Sequence, residues 1–333
     1  MRSPLVPIIV ACLILSMSAD IANAGAWLPA VDRNSVISPL GIEASLCGLQ
    51  PAMSREATSE VMAVLSAKCT APPSYVSTSI WIPEYWSLSP QVAISISDYG
   101  QLERGAEPFN DSIGRWLANL GALPLSNGNP IVFASVSALK YSARWEFSNA
   151  GRAYPGPFHG LHRTRTVPFA TNIRFATLDE FPECQRVAID LADGGKVFLT
   201  SAIPTDRLER CFEEAQKPYS KASSAAVSLP EVLLQSTTSL RGVLQEHGVR
   251  TIFRASSDPF PGLRSDQPLS DVDQSVRFRL DRNGVGVEAT TVTDYALTGG
   301  GIVPHRIVFD KPFDVRVLDS IGNDVADATI DDV

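Results

Sequence analysis

Apolar positions recur at helical spacing in the first third of the chain and at strand spacing in most of the rest. Ser38-Pro39 opens the first predicted helix, since serine caps free amides and proline suits a first turn. Ile42, Leu46 and Leu49 then share one face. A second helix is predicted from about Ser54, carrying Val61, Val64 and Leu65, and a third runs through Ile113, Trp116, Leu117 and Leu120 to Gly121. Between them Ser79-Ile80-Trp81-Ile82 reads as a short buried strand. Strands are predicted at 131–140, 174–177, 185–191, 196–203 and 226–229, with Gly194-Gly195 as a hairpin signal. Short helices are predicted at 208–214 and 240–246, the latter closed by Gly248. Val276, Phe278 and Leu280 alternate with Arg277 and Arg279, and 307–318 is strand-like again. Helices first and strands later predict an α+β fold, not a parallel βαβ fold.

One alternating stretch is set apart by its composition. Gly286-Val287-Glu288-Ala289-Thr290-Thr291-Val292-Thr293 is small or β-branched, with one charge and no proline, and it precedes the turn-rich Leu297-Thr298-Gly299-Gly300-Gly301. Such a segment suits a loop that can later become a strand. As a strand it would turn Val287, Ala289, Thr291 and Thr293 to one face and Glu288, Thr290 and Val292 to the other.

The chain has 333 residues, 44% hydrophobic and 19% charged, enough for a proper core in one large domain or two ordinary ones. A net charge of −8 with no Lys/Arg run argues against a nucleic-acid partner. Arg2, an apolar run from Leu5 to Met17 and Ala22-Asn23-Ala24 predict a signal peptide over 1–24, leaving one domain over 25–333. The run is too short to span a bilayer, so stable membrane insertion is not expected. A second reading takes Ile9-Val10-Ala11-Cys12 as a lipoprotein box with an anchor at Cys12. Export, to a periplasm or to the outside, would leave Cys47, Cys69, Cys184 and Cys211 in an oxidising compartment. Cys47–Cys69 with Cys184–Cys211 is the sequence-local choice among three connectivities, and four buried thiols is the alternative.

The same sequence carries other candidate chemistry. Ser137-Ala138-Leu139-Lys140 has the S-x-x-K spacing of a serine hydrolase, without the companion motifs, and a strand would put Ser137 and Lys140 on opposite faces. His159 and His162 form H-x-x-H in a Pro/Gly-rich stretch, read as a surface loop because no acidic partner sits at ligand spacing. His247 is expected in the last turn of a helix. Trp81, Trp86, Trp116 and Trp145 are expected in the core. Neither a metal nor a cofactor is expected.

The order of segments resembles the serpin family. Asn34-Ser35-Val36-Ile37-Ser38-Pro39-Leu40 looks like its entry to helix B, and Ser79-Ile80-Trp81 like the start of a long sheet strand. Val136-Ser137-Ala138-Leu139-Lys140 followed by Trp145 looks like its central strand and breach tryptophan. Val227-Ser228-Leu229-Pro230, then 240–248 with Phe253, and Ile307-Val308-Phe309-Asp310-Lys311-Pro312-Phe313 are similar to three later family segments. The resemblance implies a divergent, exported, bacterial-type member: helices around a large mixed central sheet, smaller sheets and an exposed reactive-centre loop.

It also implies a protease inhibitor, not an enzyme, that acts as a suicide substrate. A protease cuts the loop, the freed ribbon inserts into the central sheet, and the attached protease is dragged and distorted. Gly286 to Thr293 would be the hinge, in a loop running to about His305, with the scissile bond near Gly300–Gly301. Gly284 is an alternative hinge start and would move that bond to Thr298–Gly299, near the better pocket anchors Tyr295 and Leu297. No Arg or Lys occurs between Gly284 and Pro304, so an elastase-, subtilisin- or chymotrypsin-like protease, or a papain-like one, is expected over a trypsin-like one. The protein is expected to be a monomer. A non-inhibitory binding or carrier member is the alternative, and a hydrolase using Ser137 and Lys140 the remote one.

Several positions depart from the family pattern. Ser137, Gly41 and Gln274 stand where the family has asparagine, serine and histidine, which implies a rebuilt cluster or a sheet that opens differently. Only about ten residues separate Gly25 from Asn34, too few for the family's first helix. Asp314 follows Phe313 where an apolar residue is usual, and Asp324-Val325-Ala326-Asp327-Ala328-Thr329 replaces an apolar strand, a change expected to fill a core poorly.

Overall fold

The computed structural model describes residues 34–65, 69–124, 131–146, 153–180, 184–202, 223–254, 258–263, 268–287 and 305–333. The predicted helix at 208–214, the leader with Cys12, and Cys211 lie outside the described residues.

The helical part comes first. Strand β1 (Val36–Ile37) leads into α1 (Pro39–Leu49), where Ser38 Oγ accepts from Gly41 N and Pro39 takes the first turn. Helix α2 (Arg55–Val64) is capped in the same way by Ser54 and α3 (Pro90–Tyr99) by Ser89, while α4 (Asn110–Leu120) stops at Gly121 in the left-handed region, φ +65°. Strands β2 (Val76–Pro83) and β3 (Gln101–Gly105) lie among these helices. Then follow β4 (Ala134–Leu139), β5 (Tyr141–Arg144), β6 (Tyr154–His159), β7 (Thr164–Glu180), β8 (Cys184–Asp190), β9 (Lys196–Ala202), β10 (Ser223–Pro230) and β11 (Val232–Ser239). Helix α5 (Arg241–Glu246) precedes β12 (Asp273–Asp281), β13 (Gly284–Val287), β14 (His305–Val308), β15 (Phe313–Leu318) and β16 (Asp324–Ile330).

Three sheets are built from these strands. A nine-stranded sheet runs β1-β16-β15-β9-β8-β7-β10-β14, with β6 added on β7. Two smaller sheets, β3-β2-β4 and β11-β12-β13-β5, meet end to end because β4 and β5 are separated only by Lys140. One core, with Phe278, Val287, Phe313 and Val315, joins the four-stranded sheet to the nine-stranded one. A second, with Ile42, Leu46, Val61, Ile80 and Leu244, gathers α1, α2, β2 and α5. A third packs Ile113 and Leu117 of α4 onto Trp81 and Ala138. Trp81, Trp86 and Trp145 are buried, whereas Trp116 is partly exposed and donates from Nε1 to Gln101 at 2.9 Å.

The structure corrects two expectations. The Pro/Gly-rich stretch at His159 is a strand, not a loop: β6 pairs with β7 from Tyr154↔Phe169 to His159↔Thr164. Prolines 155 and 157 are tolerated because β6 pairs on one side only, and Gly156 leaves room for the Phe169 ring, 3.0 Å from where a Cβ would sit. The C-terminal strand does fill a core. Val325, Ala326, Ala328 and Ile330 of β16 are buried, and one arginine of the neighbouring strand faces the two aspartates Asp324 and Asp327. Arg316 Nε lies 3.1 Å from Asp327 Oδ1 and 3.2 Å from Asp324 Oδ2. Burial pushes both carboxyls above the ordinary carboxylate range, against the pull of Arg316. Asp314, on β15, is held at about 7 by burial and the nearby charges of Asp331 and Asp327, against a bond to Thr329.

Candidate insertion site in the parted sheet

Asp281 and Gly284 close a hairpin between β12 and β13, with Arg282 and Asn283 at its tip. Asn283 N donates to Asp281 Oδ1 at 2.7 Å, a local bond that fixes the turn. Trp145, just after β5, braces it: its Nε1 donates to Asp281 O at 2.9 Å and its N to Asn283 O at 3.3 Å. Gly284 has φ +148°, and a Cβ there would lie 2.1 Å from Ala143 O, so only glycine fits.

From this turn β13 descends between two strands. Gly284, Val285, Gly286 and Val287 face Asp281, Leu280, Arg279 and Phe278 on β12, and Arg144, Ala143, Ser142 and Tyr141 on β5. Val285 and Val287 are buried on the inner face. Tyr141 is fixed by donating to Asp193 Oδ2 at 2.7 Å and by packing on Tyr75, whose hydroxyl donates to Asp319. Burial and then these aspartates push both phenols upward.

Below Val287 the sheet is parted. β4 pairs with β2 on one side, and β12 pairs with β11 along its length but with β13 only from Phe278 upward. Among the described residues no strand joins β4 to the lower half of β12. The gap is a cleft of about 1180 Å³, bounded by Ser137 and Leu139 of β4, Gln274 and Val276 of β12, Ser45 of α1, and Val287 at its head. Among the described residues it is an open strand position continuous with β13.

Helix α1 floors the cleft and holds each edge separately. Ser137 Oγ donates to Gly41 O at 2.6 Å, and Ser135 and Ser45 exchange bonds at 2.7 and 2.9 Å. On the other edge Gln274 accepts from Ser38 N at 2.7 Å and donates to Ser38 O at 2.9 Å. A Cβ at Gly41 would fit tightly, 3.2 Å from Gln274 Nε2 and 3.3 Å from Ser38 Oγ. Each strand is therefore latched to the helix through its own bonds, Ser137 to Gly41 and Gln274 to Ser38. The replaced cluster is rebuilt as two half-latches.

The sequence-predicted residues fall in different places. Gly286 and Val287 are seated in β13 and buried, not in an exposed loop. Glu288, Ala289, Thr290, Thr291, Val292 and Thr293 lie outside the described residues, as do Leu297, Thr298, Gly299, Gly300 and Gly301. Cys47 and Cys69 form a disulfide, tying α1 to the segment after α2, while Cys184 lies on β8. Ser137 and Lys140 are not brought together: Ser137 turns down to α1, and Lys140 is exposed on the outer face. His247 caps α5, with Nδ1 2.8 Å from Val243 O. Among the described residues no group of three or more His, Cys, Asp or Glu could hold a metal ion, and no helix is long and apolar enough to cross a membrane. Gly284 enters the sequence reading only as an alternative hinge start, and Val285 and Phe278 carry no signal of a site there. The two-residue loop Arg282-Asn283, closed by Gly284, marks the turn that places them.

The serpin (serine protease inhibitor) family model matches residues 127–325, more than half of the chain. The chain belongs to the serpin family. A serine proteinase inhibitor of Cavia porcellus is 31% identical over 97 residues, a stretch that spans 28% of this chain and 23% of that relative. Among solved structures, cleaved Serpin 42Da is similar with a TM-score of 0.77 at 13% identity, covering 95% of this serpin and 98% of that chain. The native thermophilic serpin tengpin gives 0.74 at 15% identity, covering 100% and 96%. Human thyroxine-binding globulin gives 0.75 at 15%, covering 95% and 98%. These likenesses show the fold.

Proposed function

We propose that this serpin inhibits a protease as a suicide substrate. A protease cuts the segment beyond β13, and the freed ribbon follows β13 into the cleft, carrying the attached protease with it. The observation that carries this reading is the open strand position beneath Val287, in line with β13 and edged by β4 and β12. Ala289, Thr291 and Thr293 are small enough for the inner face, and no proline interrupts the run. The turn ahead of Gly284 favours the earlier of the two counts, with cleavage at Thr298–Gly299 beside Leu297. The absence of Arg and Lys between Gly284 and Pro304 favours an elastase-, subtilisin-, chymotrypsin- or papain-like target. Residues 1–24 act as an export signal in this reading, and the mature monomer works in a periplasm or outside the cell.

The test is incubation of the purified mature protein with subtilisin, elastase, chymotrypsin, papain and trypsin, followed by a denaturing gel. A protease-sized covalent adduct is the expected result with at least one of the first four. Clean cleavage with no adduct from any of them would overturn inhibition. It would favour a second reading, a binding or carrier protein, which rests on the ribbon's head being already seated in an uncut chain.

A further inference from the structure

We infer that Asp324 and Asp327 of β16 are a proton-operated catch on the β12 edge of the cleft, acting through Ser38. The catch belongs to the uncut chain and goes beyond the insertion reading, because it sets how tightly one edge is held whether or not a ribbon enters.

A single bulge supplies both halves of it. β16 pairs with β15 as Arg316↔Asp327, Val317↔Ala326 and Leu318↔Asp324, so Val325 is an extra residue with no register partner on β15. In a regular strand residues three apart face opposite ways, and Asp324 and Asp327 would be split between the two faces. The extra residue resets the parity and turns both carboxyls to Arg316, whose Nε lies 3.2 Å from Asp324 Oδ2 and 3.1 Å from Asp327 Oδ1. The same bulged residue reaches the half-latch. Val325 O accepts from Ser38 Oγ at 2.7 Å, and Ser38 N and O hold Gln274 of β12. Ser38, Asp324 and Asp327 are all buried.

The surroundings carry more acid than base. Asp314 shares the face of Arg316 on β15, and Asp331 follows β16. β9 sets Phe198 and Thr200 against Arg316 and Asp314, and its Lys196, opposite Leu318, is exposed and paired with Asp190. Arg186 of β8 lies one strand further, opposite Thr200. β1 sets Ile37 against Asp327, and Asp319 in the turn is bonded by Tyr75 and Asn323. Glu43, the carboxyl of α1, lies near Tyr99 instead.

Asp327 accepts the Arg316 hydrogen bond and takes the negative charge, while Asp324 keeps its proton. Burial, and then the charge of Asp327, push Asp324 well above the ordinary carboxylate range against the pull of Arg316. A carboxyl raised in the fold stabilises it at low pH, and that stability is lost as pH climbs through the folded value. When Asp324 releases its proton to solvent, two buried anions face one cation, and their repulsion exceeds the strength of one neutral hydrogen bond. Spreading the pair opens the bulge, Val325 O leaves Ser38, and the β12 edge loosens.

The test is hydrogen exchange with mass spectrometry on the uncut mature protein at about pH 6 and about pH 9, each rate divided by that of an unstructured peptide at the same pH. In the native sequence the protection of 273–277 is expected to fall about tenfold or more at the higher pH, while that of 76–83 in β2 falls by less than about threefold. Asp314→Asn keeps the fall at 273–277, and Asp324→Asn, fixed in the neutral form, abolishes it. Ser38→Ala leaves 273–277 weakly protected at both pH values. No fall in the native protein, an equal fall in Asp324→Asn, or a fall at 76–83 as large as that at 273–277 would overturn the catch. Every arm reads the uncut chain, so the catch and insertion fail separately.

Discussion

Val287 packs between Phe278 and Tyr141, its register partners on β12 and β5, and all three side chains are buried. The head of the ribbon is thus seated before any cut, with an open strand position below it. Replacing Val287 by aspartate sets a charge against two aromatic rings. The chain can bury that charge or unseat β13, and unseating costs the burial of Val285 and Val287, about 3–6 kcal/mol together. The uncut Val287→Asp protein is expected to lose about that much stability and to exchange the Phe278 and Tyr141 amides faster, as read by denaturant unfolding and hydrogen exchange.

Gln274 is the half-latch of the β12 edge. Gln274→Ala leaves Ser38 N–H and C=O without these side-chain bonds in a part-buried site. A loss of about 1–3 kcal/mol is expected, measured by urea unfolding. Ser137→Ala releases only one bond, on the other edge, and should cost about 1 kcal/mol. The two losses should couple by about 0.5–3 kcal/mol, because Gly41, which accepts from Ser137, also donates to Ser38, the partner of Gln274.

The Cys47–Cys69 disulfide closes a loop of sequence separation 22. Loop-closure entropy assigns it about 3 kcal/mol. Cys47→Ala/Cys69→Ala should lower stability by about that amount, and a reductant should do the same to the native sequence but not to the variant.

Asp314 gives a pH dependence with a definite sign. Its carboxyl is raised to about 7 in the fold against an ordinary 3.8. The unfolded state therefore ionises first as pH rises. Stability from this group is complete below about pH 4 and is lost as pH climbs through about 7. Asp314→Asn removes that loss and should gain about 1–3 kcal/mol at pH 8 relative to the native sequence, with little change near pH 4.

Much of this architecture is legible from the residues. Ser38-Pro39 announces α1, Gly121 closes α4, and the alternation of Val276, Phe278 and Leu280 gives β12 its inner face. What stays hidden depends on partners distant in sequence. The burial of β16 rests on Arg316 of β15, eleven positions before Asp327, so its aspartates read as misplaced until the strands are paired. Strand β6 carries two prolines and can be read only once its single neighbour is known. The seated head of the ribbon is partly visible in the loop Arg282-Asn283, closed by Gly284. Whether that turn starts a loop or a strand is decided by the gap between β12 and β5, which no local pattern records.

The central claim is that the cleft receives the ribbon after a cut. Hydrogen exchange of the backbone amides at 134–139 and 273–277, followed by mass spectrometry before and after cleavage within 297–301, reads the two facing edges themselves. Insertion predicts that both peptides exchange at least about tenfold more slowly in the cut protein, since each edge gains a neighbouring strand. Unchanged exchange in both, in a chain verified as cut, would contradict it.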